Sequence, residues 1–183
     1  MNFWQLDLAV KTLNAGGIIA YPTESVFGLG CDASNLKAIA RLLAIKRRPH
    51  KKGLIVLVSD IRQALPLLSP LSSAQIEKID QTSTRATTWL INKRVDLSPL
   101  LVGEHSKLAV RVTDNPIAKK LCEIFAKPII STSCNLNGKP TSSQVSRIRN
   151  KMILKVDQIV PGHCSGQPPS RIIDLDNGAI IRH

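Results

Sequence analysis

The sequence predicts an α/β fold: one domain over residues 1–183, built on a twisted mixed sheet with helices on its faces. Short apolar runs, such as residues 17–21 and 54–58, alternate with longer segments whose apolar residues recur at helical spacing. Continuous apolar runs are typical of strands that helices cover on both faces. Several strand-like runs follow one another near the C-terminus, so we expect a mixed sheet and not a purely parallel one.

Helices are predicted where apolar residues recur every three or four positions behind a capping residue. In the first helix Leu6, Val10 and Leu13 share one face, and Gly16 can end it. The second helix stops at Pro49, because proline cannot continue a helix. The second and later helices are predicted to begin at Ser34, Asp60, Ser72, Asp114 and Ser142.

Strands are predicted for short runs of apolar and β-branched residues between these helices. The predicted strands cover residues 17–21, 54–58, 86–91, 108–112, 128–133, 159–160, 171–175 and 179–182. In open α/β sheets ligands bind at strand ends, so polar residues there become candidates for a functional site.

Composition is that of a globular protein, with 43% apolar and 21% charged residues. No run of about 18 apolar residues could span a bilayer. The N-terminal stretch contains Asp7 and lacks a basic start, which argues against a signal peptide. The four cysteines form no C-x-x-C pair, so we expect reduced thiols in a cytoplasmic protein with no membrane partner.

The chain carries a formal charge of +12, and much of it lies in residues 107–160, which hold ten basic and three acidic residues. A positive field of this size favours anionic partners, either nucleic acid or nucleotide and pyrophosphate. Only six aromatic residues are present, which gives little support for an aromatic platform that stacks bases. Charge alone leaves both classes of partner open.

Three well-known motifs nearly occur, and each fails on a specific feature. Residues 28–33 match a relaxed dinucleotide fingerprint but start too far behind the strand, with basic residues where an acid is expected. Residues 137–141 end like a P-loop, yet Ser133 stands at the leading glycine and Pro140 at the hydroxyl position. Residues 162–166 miss the nucleophile elbow by one position.

Short polar clusters remain at the ends of predicted elements. They are Tyr21-Pro22-Thr23-Glu24-Ser25, Lys46-x-Arg48, Ser131-x-Ser133-x-Asn135 and Pro169-Ser170-Arg171, with Lys107 and Arg111 beside a further strand. Basic side chains donate charge-assisted hydrogen bonds to phosphate oxygens, and serine and asparagine add bonds of fixed direction. The set suits a nucleotide site without a P-loop.

Five motifs in this order resemble the YrdC-like family. They are YPTES-x-FGLG, the K-x-R of Lys46 and Arg48 followed by GLIVLV, LAVRV, the S-x-N of Ser133 and Asn135, and PSRIID. The resemblance runs from about residue 21 to residue 182. Within the family, the chain looks like the short, single-domain bacterial threonylcarbamoyl-AMP synthases of the TsaC type.

The resemblance implies a twisted mixed α/β sheet around a deep, positively charged cavity. It implies a nucleotidyltransferase that joins L-threonine, bicarbonate or CO2, and ATP into threonylcarbamoyl-AMP and releases pyrophosphate. A separate transferase complex would then modify tRNA. Mg2+ would enter with ATP and be held mainly by its phosphates, with no metal site built by the protein itself.

The resemblance also implies a role for individual residues. Lys46 and Arg48 would be catalytic, because they stabilise charge at the reacting phosphate. The expected threonine contacts are Thr23, Arg111, Ser131 and Ser170. The expected nucleotide contacts are Lys46, Arg48, Lys52, Lys107, Ser133, Asn135 and Arg182.

Some positions depart from the family pattern. Ser25 and Phe27 replace the usual threonine and tyrosine, and Arg171 stands where longer relatives have threonine. Leu57 occupies the position of a histidine that contacts threonine in longer relatives, so that contact is not expected here. The sequence gives Glu24 no role that can be derived.

Two other functions remain open on the sequence. A basic RNA-binding protein in ribosome or tRNA maturation, with tRNA or double-stranded RNA as its partner, would explain the charge of residues 107–160 without ATP chemistry. Its affinity for RNA would fall steeply with salt. A carbamoyl-adenylate enzyme, like the YrdC-like domain of hydrogenase maturation factors, would use carbamoyl phosphate in place of threonine.

Overall fold

The computed structural model describes residues 3–81, 85–138, 140–144 and 155–183. Helices and strands alternate along the chain, as predicted. Within the described ranges the α-helices are α1 (Phe3–Asn14), α2 (Leu36–Lys46), α3 (Ser73–Asp80), α4 (Pro99–Val102) and α5 (Pro116–Phe125). The strands are β1 (Ile19–Tyr21), β2 (Gly28–Gly30), β3 (Ile55–Val58), β4 (Thr87–Asn92), β5 (Lys107–Val112), β6 (Ile129–Ser133), β7 (Gln158–Ile159), β8 (Arg171–Asp174) and β9 (Ile180–Arg182).

The described strands form one mixed sheet in the order β7-β1-β2-β6-β3-β5-β4-β8-β9. Three pairs are parallel, namely β1 with β7, β3 with β5, and β4 with β8. The other neighbouring pairs are antiparallel. The predicted mixed α/β sheet is therefore confirmed.

Apolar side chains cover both faces of the sheet. Alternation along β1 shows the division, because Ile18 and Ala20 pack in one buried cluster and Ile19 and Tyr21 in the other. The first cluster includes the buried face of α2, and the second includes the buried faces of α1 and α5. The second face is the one that carries the site described below.

The start of α2 differs from the sequence prediction by one residue. Asn35, and not Ser34, caps the helix, and its Oδ1 accepts a 3.0 Å hydrogen bond from Ala38 N. Ser34 instead donates to Asp32, at 2.7 Å from its hydroxyl. Both residues are good caps by type, so composition alone could not choose between them.

The end of α2 separates the side chains of Lys46 and Arg48. The helix ends at Lys46, and Arg47 takes the left-handed conformation with φ of 50°. This turn closes with a 3.0 Å hydrogen bond from Arg48 N to Leu43 O. Because the chain reverses there, Lys46 and Arg48 leave the helix end in different directions.

Other predicted elements are confirmed with small shifts in bounds, whereas β2, α4 and a 3₁₀ helix (His50–Lys52) were not expected. Asp60 caps a 3₁₀ helix (Ile61–Leu67), and Ser72 caps α3 through a reciprocal capping box with Gln75. The short elements β2 and α4 had no clear periodic signal. The helix predicted from Ser142 falls mostly outside the described residues, and residues 142–144 are not helical.

No helix in the part of the chain that the structure describes is long and apolar enough to cross a membrane.

Candidate active site

A cavity of about 330 Å³ lies against the middle of the sheet, and we name it the central cavity. The seven predicted site residues that line it are Thr23, Arg48, Arg111, Ser131, Ser133, Ser170 and Arg182. These residues come from segments spread over most of the sequence. Their convergence is the main structural support for a common site.

Strand alternation explains why β6 supplies two of these hydroxyls. Ile129 packs in the apolar cluster that contains α1 and α5. Side chains two residues apart share a face of a strand, so Ser131 and Ser133 lie on the same side. Beyond the edge of that cluster the face is polar, and the central cavity begins there.

Three arginines line the central cavity. Of the described residues around it, Arg48, Arg111 and Arg182 are positively charged and none is acidic. Burial lowers the pKa of Arg182, and the nearby charges of Arg111 and Arg85 lower it further. Arginine still stays protonated at neutral pH, so a bound anion would relieve this repulsion.

Arg111 is held from behind by a buried carboxylate. Its Nη2 donates a 2.5 Å hydrogen bond to Glu24 Oε2, and the two residues are 8% and 3% exposed. Burial alone would raise the pKa of Glu24, but the charge of Arg111 and the hydroxyl of Thr113 outweigh it and hold that pKa below its usual value. Glu24 is therefore a charged partner of Arg111 at neutral pH.

Arg48 is oriented by the turn that follows α2. Its Nη2 donates to the main-chain oxygen of Gly53 at 2.9 Å and to that of Lys52 at 3.3 Å. Its buried Nε has no hydrogen-bond partner among the described residues. Burial closes that Nε to ligands, but the guanidinium keeps N–H groups beyond the two bonds of Nη2, and these are suited to binding a phosphate oxygen.

Ser170 is fixed by two neighbours. Its hydroxyl lies 2.8 Å from Thr88 Oγ1, and its main-chain oxygen accepts hydrogen bonds from Arg182 Nε and Nη2 at 3.0 and 2.7 Å. Arg182 thereby ties the last strand to the wall of the central cavity. Both residues were predicted as contacts, one for threonine and one for nucleotide.

Lys46 lies behind the wall of the cavity. It is 2% exposed, and its ammonium donates to the main-chain oxygen of Ser133 and, at 2.8 and 3.1 Å, to the main-chain oxygen and Oδ1 of Asn135. These bonds occupy the three N–H groups of the ammonium. Lys46 thus supports the S-x-N loop, and this arrangement leaves it no donor for phosphate.

Asn135 links this support to the cavity. Its Oδ1 also accepts a 2.6 Å hydrogen bond from the hydroxyl of Ser133, which lines the central cavity. The orientation of Ser133 therefore depends on Asn135, and through it on Lys46.

Lys52 and Lys107 lie in a second cavity of about 440 Å³, which we name the adjoining cavity. The two cavities share Arg48 and Arg182 in their linings. The ammonium of Lys107 is 2.7 Å from Asp174 Oδ1 and 2.7 Å from an oxygen of Asp176, and these carboxylates raise its pKa. Its predicted nucleotide contact would compete with both carboxylates.

The sequence interpretation missed Thr141 in the cavity lining and gave Glu24 no role. Thr141 follows the S-x-N motif closely, and that proximity was the available signal. Leu57, at the position of the absent histidine, is 1% exposed and packs in the apolar cluster with α1 and α5. The cavity lining does not include it.

No group of three or more His, Cys, Asp or Glu side chains that could hold a metal ion occurs in the described ranges. The cavity does offer neutral oxygens, such as the hydroxyl of Ser133. Such oxygens fit a hard cation that a phosphate ligand already carries.

Comparisons with known proteins identify relatives that align over nearly the whole chain. Threonylcarbamoyl-AMP synthase of Photobacterium profundum is 41% identical over 180 residues, covering 97% of each chain. The protein of that name from Coxiella burnetii (strain RSA 493 / Nine Mile phase I) is 41% identical over 175 residues, covering 95% of this chain and 94% of its own.

Solved structures give the same result for the fold. P. abyssi Sua5, solved in complex with L-threonine, superposes with a TM-score of 0.87 at 26% identity over 95% of this chain. The present chain spans about half of that protein, 52% of its length. E. coli YciO superposes with a TM-score of 0.84 at 27% identity, covering all of this chain and 90% of its own.

A sequence profile of the Sua5/YciO/YrdC family, described under telomere recombination, matches residues 11–183. That match covers most of the chain, and relatives about 40% identical extend over almost its full length. On these grounds, the chain belongs to the Sua5/YciO/YrdC family.

Proposed function

We propose that this protein is an L-threonylcarbamoyladenylate synthase, a nucleotidyltransferase that uses L-threonine, bicarbonate or CO2, and ATP. The observation that carries the proposal is the convergence of Thr23, Arg111, Ser131 and Ser170 with Arg48, Ser133 and Arg182 around one basic cavity. Relatives named threonylcarbamoyl-AMP synthase support the same reaction.

The proposed chemistry needs no protein nucleophile. The amine of L-threonine forms a bond to the carbon of CO2 and releases a proton, which gives a carbamate. A carbamate oxygen then attacks the α-phosphorus of ATP, and the bond from that phosphorus to pyrophosphate breaks. Starting from bicarbonate, one water is also released. The protein has to hold three substrates in line and stabilise charge at phosphorus.

Arg111 is the proposed partner of the threonine carboxylate, since a guanidinium binds a carboxylate through two parallel hydrogen bonds. Thr23 and Ser131 both lie close to Gly28. The hydroxyl of Thr23 donates to Val26 O at 2.7 Å and can accept from the amine, whereas that of Ser131 can bond the amine or the carbamate. Ser170 closes the wall nearby, with its hydroxyl held by Thr88. These residues form the proposed threonine side of the cavity.

Arg48 and Arg182 are proposed to bind the phosphates. Both line the central cavity and the adjoining cavity, so they stand where a nucleotide would pass between the two. The adjoining cavity has apolar walls from Leu90, Ile172 and others, with polar groups such as Lys52 at its edge. Its size and lining support a place for the nucleoside.

Lys46 is proposed to act through the S-x-N loop. Its three hydrogen bonds fix the main chain at Ser133 and Asn135. The loop in turn presents the Ser133 hydroxyl to the cavity. In this arrangement Lys46 is a positioning residue, and a direct contact with phosphate would require the loop to give up those bonds.

An Mg2+ ion carried by ATP would neutralise phosphate charge and assist departure of pyrophosphate. Ser133, with its hydroxyl oriented by Asn135, would bind the phosphate oxygens that carry this ion. The product would pass to a separate threonylcarbamoyl transferase that acts on tRNA. A cytoplasmic location follows from the proposed reaction, because its ATP and tRNA are cytoplasmic.

The RNA-binding alternative lacks comparable support. It depends on the basic balance of residues 107–160, and part of that charge lies at residues 139 and 145–154, outside the described ranges. The relatives that cover nearly all of this chain carry the synthase name.

The test is pyrophosphate release from ATP and Mg2+ by the purified protein, with and without L-threonine and with and without bicarbonate. We expect release that requires both. ATP binding without threonine-dependent release of pyrophosphate would contradict L-threonine as the second substrate. RNA affinity that falls steeply with salt, with no release, would favour the alternative.

A matched pair of arginine variants ties the activity to the cavity. Arg48→Ala removes a guanidinium from the central cavity, and we expect it to lose most of the release. Arg62→Ala removes an exposed guanidinium that pairs with Asp60 at 3.0 Å. Full activity in the second variant and little in the first would support the proposed site.

A further inference from the structure

The carboxylate of Glu24 joins parts of the chain that are far apart in sequence. It lies in the loop after β1 and accepts hydrogen bonds from the end of β5 and the start of α5. Oε2 accepts from Arg111 Nη2 at 2.5 Å, and Oε1 accepts from Thr113 Oγ1 at 2.7 Å. Oε1 also accepts from the main-chain N–H groups of Asp114 and Asn115, at 3.0 and 3.3 Å.

Glu24 occupies one of the five N–H groups of the Arg111 guanidinium, through Nη2. Its Nε is buried and has no hydrogen-bond partner among the described residues. Burial closes this Nε to ligands, but Arg111 also lines the central cavity, where its other N–H groups can bind an anion. Glu24 thus restricts the guanidinium without using all of its donors.

The main chain around Glu24 is also held by hydrogen bonds. Gln167 N donates to Glu24 O at 2.9 Å, and Ser165 N donates to Thr23 O at 3.3 Å. These bonds attach the segment that leads to Ser170 onto the loop after β1. Three of the proposed threonine contacts, Thr23, Arg111 and Ser170, therefore depend on the same loop.

We propose that Glu24 is a positioning residue for substrate recognition, which fixes the Arg111 guanidinium in the orientation that receives the carboxylate of the amino-acid substrate. The inference rests on the proposed function, because it takes L-threonine as that substrate. Glu24 is not part of the cavity lining, so it acts through Arg111 without touching the substrate.

A purely structural role for Glu24 is the competing explanation, because its hydrogen bonds also cap the region where α5 begins. Two variants separate the roles. Glu24→Gln keeps an oxygen for Thr113 and Asp114 but turns an amide donor toward the donors of Arg111. Glu24→Asp keeps the charge and withdraws it by one methylene.

The experiment measures pyrophosphate release by the full chain as a function of L-threonine, and separately of ATP, with direct L-threonine binding by calorimetry. In Glu24→Gln we expect the KM for L-threonine to rise by at least about tenfold and that for ATP to stay within about twofold. The KM of Glu24→Asp for L-threonine should lie between the values of Glu24→Gln and the wild type. Glu123→Gln, which breaks an exposed ion pair with Lys120, is the matched control.

A double-mutant cycle tests whether Glu24 acts through Arg111. If it does, Glu24→Gln should change the KM for L-threonine little once Arg111→Ala is present. Additive effects in a folded double mutant would contradict the inference. Circular dichroism and a thermal unfolding curve establish that each variant is folded.

The outcomes separate this inference from the proposed function. A wild-type protein that neither binds nor uses L-threonine would overturn both. A wild-type protein that uses L-threonine, together with a folded Glu24→Gln variant of unchanged threonine KM, would overturn the inference alone. Equal rises in the two KM values would assign Glu24 a structural role, against the proposal.

Discussion

The ammonium of Lys46 donates a 2.8 Å hydrogen bond to the main-chain oxygen of Asn135, 89 residues further along the chain. The bond joins the end of α2 to the loop after β6. Replacing Lys46 with methionine keeps a side chain of similar length and removes the donors. Lost hydrogen bonds destabilise the fold, whereas removal of a buried charge favours it, so the two effects oppose each other.

For Lys46→Met we therefore expect the free energy of unfolding to change by less than about 2 kcal/mol. Turnover should suffer more, because the S-x-N loop loses its support, and we expect kcat/KM for ATP to fall about 100-fold. Denaturant unfolding and initial rates measure the two quantities. Lys37→Met, at an exposed position on the same helix, is the control. Near-normal rates from folded Lys46→Met protein would refute the role given to Lys46.

The pH dependence provides a second test of Lys46. Burial, with a smaller effect from Arg48, lowers the pKa of Lys46 from 10.5 to about 8. Above pH about 8 the side chain loses a proton and one of its three donors, so we expect kcat/KM for ATP to fall through that pH in the free enzyme.

The contribution of Lys46 to the free energy of unfolding should rise over the pH range in which kcat/KM falls. Between the folded pKa of about 8 and the ordinary value of 10.5, the unfolded chain binds more protons at Lys46 than the folded chain does. The contribution of this group to stability therefore rises with pH across that window. The difference in unfolding free energy between wild type and Lys46→Met isolates it. A difference that is flat with pH would contradict the lowered pKa.

The position of Lys46 also shows where the sequence stopped being informative. Polar residues at strand ends could be predicted as site residues, because strand periodicity locates the ends and ligands bind there. Thr23, Ser131 and Ser133 were found in this way, and all three line the cavity. The partner of Lys46 could not be predicted, since it is a loop that only the folded sheet brings close.

The contacts of Glu24 could not be predicted from the sequence either. Its place in YPTES marked it as part of a motif, but its four hydrogen-bond donors come from Arg111 through Asn115. Nothing local to residue 24 specifies those contacts. The fold class could be read from periodicity, whereas the bonds between distant loops depend on strand order and register, which no local pattern encodes.

Lys107 and Arg48 are expected to differ sharply as nucleotide contacts. The ammonium of Lys107 already lies 2.7 Å from oxygens of Asp174 and Asp176. Arg48 lines both cavities, and its hydrogen bonds to described residues come from Nη2 alone. We expect Lys107→Ala to change the KM for ATP by less than about threefold, and Arg48→Ala to raise it by more than about tenfold. Steady-state kinetics at saturating L-threonine would measure both. A large rise in the KM for ATP in Lys107→Ala would show that Lys107 contacts the nucleotide directly.

Gly28 offers a test of the proposed threonine side that adds one methyl group and no charge. A Cβ built on Gly28 would lie 3.2 Å from Thr23 Cγ2 and 3.5 Å from Ser131 Oγ. The buried ring of Tyr21 would lie 3.4 Å away. All three neighbours are side chains and none is main chain, so a shift of a few tenths of an ångström would fit the methyl group and the strand should persist. The methyl group would occupy space between two proposed threonine contacts, and we expect Gly28→Ala to raise the KM for L-threonine by about tenfold with little change for ATP.

Gly30, two residues along β2, provides the contrast. A Cβ there would lie 2.7 Å from the main-chain oxygen of Ile130, which cannot move without disturbing β6. Gly30→Ala should therefore lower the free energy of unfolding by about 1–3 kcal/mol, with no selectivity between substrates. If Gly28→Ala behaved in the same way, the glycines of FGLG would serve strand packing alone. A selective loss of threonine affinity in Gly28→Ala would instead place the amino-acid substrate between Thr23 and Ser131, on the floor of the central cavity.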